Sequence, residues 1–369
     1  MNFLIAVDSF KGTLTSLEIA ELIKKHINLD HNNVDILATG DGGEGTVDSL
    51  MYATNGKKRE IMVSGAFGGK VKSYYCLTDN VKTAIMEVAL SSGVAMLNKE
   101  DLNPLKTTSY GLGETINDAL DLGVKKLIIG IGGSSTNDGG AGMLQALGVK
   151  FYDKSNVLIK KMTGKTIGLV ERIDMKQLNP KLKDVEIIVA CDVNNPLLGP
   201  NGCTYIYSGQ KGASKSMKAE LESYMQHFSS VVERELGSDY KEVPGVGAAG
   251  GLGYGLKAFL NARLLSGLDV VSEATKLEER VKNSDIVITG EGSFDHQSLM
   301  GKAPIKIAEI GKKYNKKVIG VFALTTINSL PKFFDEIHSV VPTVATMKES
   351  LSNPIESLEK LIIEKIELN

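Results

Sequence analysis

The sequence predicts an α/β protein of two domains: a doubly wound parallel sheet of flavodoxin size and an inserted second α/β domain with mixed strands. Three observations carry this. Apolar runs of strand length alternate with helical periodicities at both ends of the chain. Three extended runs follow one another early in the middle, separated only by short turns. And 369 residues, 42% of them hydrophobic, exceed what one ordinary core holds.

The elements follow in order. Phe3 to Val7 is a short apolar run ended by Asp8, a buried strand by length and branching. After the loop DSFKGTLTS, Leu17, Ile19, Ala20, Leu22 and Ile23 recur at helical spacing, with Ser16 as N-cap. Val34 to Leu37 is a strand and Val47 to Ala53 a helix. Lys58 to Ser64, Lys70 to Leu77 and Thr83 to Ala89 form an antiparallel meander. A helix over Gly113 to Leu122 leads to the strand LIIGIGG, and EIIVACD is a later strand. Alternation returns with DIVITGEG, the helix Pro304 to Tyr314, the strand KVIGVFAL, a last strand at His338 to Val341, and the helix Pro354 to Ile366. The two chain ends supply about five parallel strands, enough for one such sheet. The expected first domain is therefore 1–56 with 283–369, and 57–282 is the insert.

Composition excludes several functions. With 42 basic and 44 acidic residues the net charge is -2, so no basic field awaits a nucleic acid. Absence of Trp and 6% aromatic content also disfavour a base-stacking surface. Cys76, Cys191 and Cys203 are odd in number and irregularly spaced, which fits reduced thiols in a cytoplasmic protein. The opening MNFLIAVDSF lacks the basic and apolar regions of a signal peptide, and no apolar run approaches the ~20 residues that span a bilayer. Neither a nucleic acid nor a membrane is an expected partner. The chain is expected to be a monomer or a homodimer.

The strong apolar runs end in Gly or a carboxylate, at the strand ends where open parallel sheets bind ligands. GIGGSSTNDGGAG follows a strand and precedes a helix near Ala141. Gly132 and Gly133 admit a ligand to the backbone, and Ser134, Ser135, Thr136 and Asn137 add polar groups. With the N–H groups of the helix start they suit a phosphate. Gly290 and Gly292 of GEGSFD join this phosphate- and ATP-binding set. Phosphoryl transfer further needs cations on the moving group, carboxylates for Mg²⁺ and a base for the accepting hydroxyl. Lys11, Lys211 and Lys302 are the candidate cations. Asp41, Glu44, Asp138, Asp192, Glu291 and Asp295 are the candidate carboxylates. Asp8, Lys11 and Asp192 are read as catalytic, with Asp192 as the base, desolvated by Val189 and Val193. Asp41, Lys211 and Lys302 are read as substrate-binding, and Asp295 and Glu291 as metal ligands.

Other signatures fail. GVGAAG at Gly245 to Gly250 matches G-x-G-x-x-G in letters, but SDYKEV and Pro244 precede it instead of an apolar strand, so it is read as a Gly-rich helix entry. There is no Walker loop, no H-R-D or D-F-G pair, no G-x-S-x-G elbow and no zinc spacing among the five His. Two other readings stand beside this one. One is a kinase for another small hydroxy acid or sugar acid; the other is a non-catalytic nucleotide-binding regulator.

DSFKGTLTS, GDGGEGT, TTSYGLGE, GIGGSSTNDGGAGMLQALG, ACDVNNPLLGPNG, QKGAS, GVGAAGGLG and ITGEGSFDHQSLMGKAP, in this order from Phe3 to about Pro304, resemble the type I glycerate kinases of bacteria. The resemblance implies a flavodoxin-like domain joined to a second α/β domain, with ATP and glycerate meeting in the interdomain cleft. It also implies transfer of the γ-phosphate of MgATP to D-glycerate, with 2-phosphoglycerate favoured over 3-phosphoglycerate. The chain departs from the pattern at Ser208 and Gly209, where the family has Gly and Pro, and at Ser293, where it has Arg.

Overall fold

A computed structural model of the chain describes residues 1–10, 12–37, 45–237, 239–296, 298, 302–327 and 330–367. In chain order the strands are β1 (Asn2–Val7), β2 (Asn33–Ile36), β3 (Lys57–Ser64), β4 (Lys70–Thr78), β5 (Thr83–Glu87), β6 (Lys126–Gly130), β7 (Lys150–Tyr152), β8 (Arg172–Asp174), β9 (Glu186–Ala190), β10 (Arg263–Leu265), β11 (Ile286–Gly290), β12 (Ser293–Phe294), β13 (Lys317–Thr325) and β14 (Glu336–Ser339). The chain divides into two compact units. One holds Met1–Gly40, Tyr52–Thr54 and Val271–Asn369; the other holds Asp41–Met51 and Asn55–Val270.

The first unit is built on a parallel sheet of order β12-β13-β11-β1-β2, with β14 also paired to β13. Strands from both ends of the chain thus share one sheet. From Phe3 to Val7, β1 is buried throughout, as a strand covered on both faces must be. The helix Ser16–Lys25 lays Ile19, Ala20 and Ile23 into this core, where Leu358, Leu361 and Ile362 of the helix Pro354–Lys365 are also buried. Its cap is Thr15, not the expected Ser16. Thr15 has extended backbone, its Oγ1 accepts from Glu18 N at 3.2 Å, and the Glu18 carboxylate accepts the Thr15 N–H at 2.8 Å. The last strand also differs. It ends at Ser339, and Val340 begins a helical turn.

The second unit carries a mixed sheet of order β10-β9-β6-β5-β4-β3. The meander β3-β4-β5 is antiparallel, as expected, and β5 then joins β6 in parallel, so the meander forms one flank of a larger sheet. Its third run closes at Glu87, two residues before the expected end. Registers Glu87↔Gly130, Gly130↔Ala190 and Leu265↔Ala190 align the carboxyl ends of four parallel strands on one edge. A long helix, Lys215–Leu236, buries Leu221, Met225, Phe228 and Val232 at helical spacing.

Candidate functional site

That aligned edge builds a cavity of about 240 Å³. It is lined by Ile131, Gly132, Gly133 and Ser134 after β6, by Cys191, Asp192 and Val193 after β9, and by Tyr207, Gln210, Lys211, Ala248 and Ala249. Gly133 has φ +69°, a conformation a branched side chain resists. The loop is held from behind. The Ser135 N–H and Oγ both donate to Ser92 O at 2.8 Å, and Val94 N donates to Gly133 O at 2.8 Å. Gly132, Gly133 and Ser134 therefore reach the cavity. Ser135, Thr136 and Asn137 are buried and do not line it.

The cation of this site is Lys211. Its side chain is only 1% exposed, and Nζ donates to Ser134 Oγ at 3.0 Å and to Thr136 O at 2.6 Å. An ammonium has three N–H donors, so one more remains for a ligand. Burial lowers the Lys211 pKa to about 8, against smaller opposing effects of Cys203 and Asp138.

Asp192 lines the same cavity, and its Oδ1 accepts from Gly267 N at 2.9 Å, the first residue of the helix Gly267–Thr275. The carboxylate is exposed, so the enclosure expected from Val189 and Val193 is absent. Val189 is itself fully buried in the sheet core.

The N–H groups at the helix start near Ala141 do not await a phosphate. Asp138, fully buried, accepts from Gly140 N and Gly142 N at 3.2 Å, and from Ser109 N at 2.8 Å and Ser109 Oγ at 2.9 Å. The protein's own carboxylate fills that anion position. Desolvation holds its pKa above the ordinary carboxylate range, against these hydrogen bonds, which pull it down.

Asp8, Gly290, Glu291, Gly292, Asp295 and Lys302 belong to the other unit. Register Val7↔Gly290 sets Asp8 and Glu291 just beyond the ends of neighbouring parallel strands, and Asp8 N donates to Gly290 O at 2.9 Å. Asp8 Oδ1 accepts from Ser9 N at 2.7 Å. Gly290 ends β11, where an added Cβ would meet Val321 O at 1.7 Å, and Gly292 O accepts from Leu324 N at 3.0 Å. Glu291 Oε2 pairs with Lys302 Nζ at 3.3 Å, and Oε1 is buried without a partner among the described residues. Asp295 Oδ1 accepts from Ser298 N at 3.1 Å. Lys11, Asp41 and Glu44 lie outside the described residues. Among the described residues, no three His, Cys, Asp or Glu side chains converge as a metal site, and no helix is long and apolar enough to cross a membrane. GVGAAG is the helix entry it was read as: Ala248 opens the helix Ala248–Leu260, and Ala249 lines the cavity.

The sequence profile of the glycerate kinase family matches residues 3–367. The chain belongs to the glycerate kinase family. It is similar over nearly its whole length to relatives of that family. The glycerate kinase of Haemophilus influenzae is 47% identical, with 98% of this chain and 96% of the relative covered. The glycerate 2-kinase of Escherichia coli K12 is 43% identical, with 97% and 95% covered. A crystal structure from Salmonella typhimurium LT2, assigned as a glycerate kinase 2, is 39% identical and superposes with a TM-score of 0.87 over 98% of this chain and 96% of that one. Family membership and the mixed α/β fold thus agree with the motif order of the sequence.

Proposed function

We propose that this chain is an ATP-dependent glycerate kinase that transfers the γ-phosphoryl group of ATP to D-glycerate, at the 2-hydroxyl in preference to the 3-hydroxyl. Beyond family membership, the observation that carries this is the cavity itself. A buried cation, a Gly-Gly-Ser backbone cradle and a carboxylate line one space of about 240 Å³, small for a nucleotide and suited to a three-carbon acid. The E. coli relative's name, a 2-kinase, supports the regiochemistry.

In this reading Lys211 and Ser134 hold the carboxylate of the acid, and the N–H groups of Gly132 to Ser134 face the phosphoryl group in transfer. The glycerate hydroxyl oxygen bonds to the γ-phosphorus as the bridging P–O bond to ADP breaks, and the hydroxyl proton passes to Asp192. Gly290 and Gly292 are assigned to the nucleotide phosphates, and Lys302 to the substrate side through its pair with Glu291. The buried Oε1 of Glu291, without a partner among the described residues, is a hard oxygen that fits Mg²⁺, and Asp295 supplies a second. Bound there, the ion would neutralise charge on the phosphate oxygens.

The test is ADP release with D-glycerate, L-glycerate and a panel of hydroxy and sugar acids, with the product assigned by phosphorus NMR. Release with D-glycerate and a 2-phosphate product is expected. A preference for a different acid would overturn the substrate, and a 3-phosphate product the regiochemistry.

A further inference from the structure

Six polar side chains line the cavity: Ser134, Cys191, Asp192, Tyr207, Gln210 and Lys211. The bonds they already make decide what each can offer a ligand. Lys211 Nζ commits two of its three N–H groups to Ser134 Oγ and Thr136 O. The Ser134 hydroxyl accepts one of these and can still donate its own proton. Such donors suit an anion. The Asp192 carboxylate accepts from Gly267 N, and the Cys191 thiol donates to Val193 O at 3.3 Å. Tyr207 and Gln210 remain.

The Tyr207 hydroxyl donates to Asn195 Oδ1 at 2.5 Å. The polarity of that bond is set from behind. Asn195 Nδ2 donates to Asn201 O at 2.8 Å, and a backbone carbonyl only accepts, so the amide must turn Oδ1 toward Tyr207. Burial pushes the Tyr207 phenol up and Cys191 adds to this, so the phenol is neutral and its one proton lies on this bond. Toward a ligand its oxygen can only accept. Gln210 is exposed, and its amide has no hydrogen-bond partner among the described residues. It presents both an NH₂ donor and a carbonyl acceptor. The two residues are three apart on one helical stretch, Cys203–Tyr207 followed by the 3₁₀ turn Gly209–Lys211, so they share a face. That stretch is held firmly. Ser208 Oγ donates to Thr204 O at 2.5 Å, Lys211 N donates to Ser208 O at 3.1 Å, and Gly212 follows at φ +92°, where an added Cβ would stand 2.3 Å from Leu102 O.

An anion cannot satisfy an oxygen that only accepts. A hydroxyl can, because it donates to one group while it accepts from another. We propose that Tyr207 and Gln210 are the specificity-determining residues of this cavity and bind the hydroxyl of the acid that is not phosphorylated. That hydroxyl donates to Tyr207 Oη and accepts from Gln210 Nε2. The identity of the acid rests on the proposed function. A hydroxy acid without the second hydroxyl leaves both groups unsatisfied and is discriminated against.

The test compares two acids. kcat/KM is measured with D-glycerate and with D-lactate, which has a hydrogen in place of the 3-hydroxyl, for the parent, Gln210→Leu and Tyr207→Phe. The parent should prefer D-glycerate. Each variant should lose about tenfold on D-glycerate and stay within about threefold on D-lactate, which also shows that it folds. Equal losses on both acids, or an undiminished preference, would overturn the inference for the residue changed. If the product is the 3-phosphate, 3-hydroxypropanoate replaces D-lactate under the same criterion. A parent that releases no ADP with D-glycerate sinks the proposed function and leaves this inference to calorimetric titration with the same two acids, which also decides where D-lactate turns over too slowly to follow. Affinity lost for D-glycerate alone in the variants supports the assignment, and equal affinity of the parent for both acids overturns it.

Discussion

Replacing Lys211 by Met tests the site most directly, because the side chain keeps its length and loses only the ammonium. A pKa of about 8 against an ordinary 10.5 makes the charged form about 3 kcal/mol less favourable in the fold than in water. Removing it relieves that cost. It also leaves Thr136 O and Ser134 Oγ without the donor they have at 2.6 and 3.0 Å, a loss of about 1–3 kcal/mol. The two terms nearly offset, so the variant should lie within about 2 kcal/mol of the parent at neutral pH.

Their pH dependence distinguishes them. Unfolded, Lys211 keeps its proton to about 10.5; folded, it releases it near 8. Between these values the unfolded state binds more protons, so this group's contribution to stability rises with pH across that window and its full cost is present below it. Cys203 acts oppositely, since its folded pKa of about 12 exceeds the ordinary 9 and stability falls as pH climbs past 9. The difference between parent and Lys211→Met cancels the cysteine and should grow by up to about 3 kcal/mol from pH 8 to 10.5 in chemical denaturation. For activity, loss of one hydrogen bond from a charged donor to the substrate carboxylate is worth about 1.5–3 kcal/mol, or about 10- to 150-fold in kcat/KM for glycerate. The parent's kcat/KM should fall above about pH 8, and the variant's should stay flat there. An unchanged kcat/KM in the variant, or a parent profile level through pH 9, refutes the placement of Lys211 on the acid.

Three further expectations follow from the same geometry. Asp192→Asn should lower turnover at saturating ATP and glycerate by about 10²–10⁴-fold, and a change of only a few-fold would remove Asp192 as the base. Gly133→Val forces a branched residue to φ +69° beside the cavity, at about 1–2 kcal/mol of backbone strain; glycerate turnover should collapse while the circular dichroism stays native, and an active variant would remove the loop from the site. Excess chelator should abolish activity and Mg²⁺ restore it, with Glu291→Gln needing more Mg²⁺ for half-maximal rate; an unaltered Mg²⁺ titration would clear Glu291 of that role.

The strands were legible because they are buried on both faces and so read as continuous apolar runs: β1, β6, β9, β11 and β13 all appear that way. The strand-end rule then led to Asp8, to Gly132 to Ser134, to Asp192 and to Glu291, because in both sheets the chain leaves the carboxyl edge at those points. Burial of charge was not legible. Asp138 stands among glycines, and the same letters suit an exposed turn. What distinguishes it is the convergence of Gly140, Gly142 and Ser109, and Ser109 comes from twenty-nine positions upstream. Tyr207 ends a short helix and Gln210 lies in the 3₁₀ turn that follows, with no strand before either, so the rule passed over them.

GVGAAG shows how far letters can mislead while position still informs. Turns, not a strand, lead into its glycines. Ala249, Gly250 and Gly251 adopt left-handed backbone at the start of the helix Ala248–Leu260, which turns the chain sharply against the loop after β6. A Cβ on Gly250 would stand 2.1 Å from Thr136 O, the carbonyl that receives the Lys211 ammonium. Only a residue without a side chain lets that carbonyl keep its place, and only that carbonyl's place lets Lys211 sit at the cavity wall. The two Gly-rich segments, more than a hundred residues apart, are therefore one device. One supplies the backbone that faces the cavity, and the other supplies the room for the cation behind it.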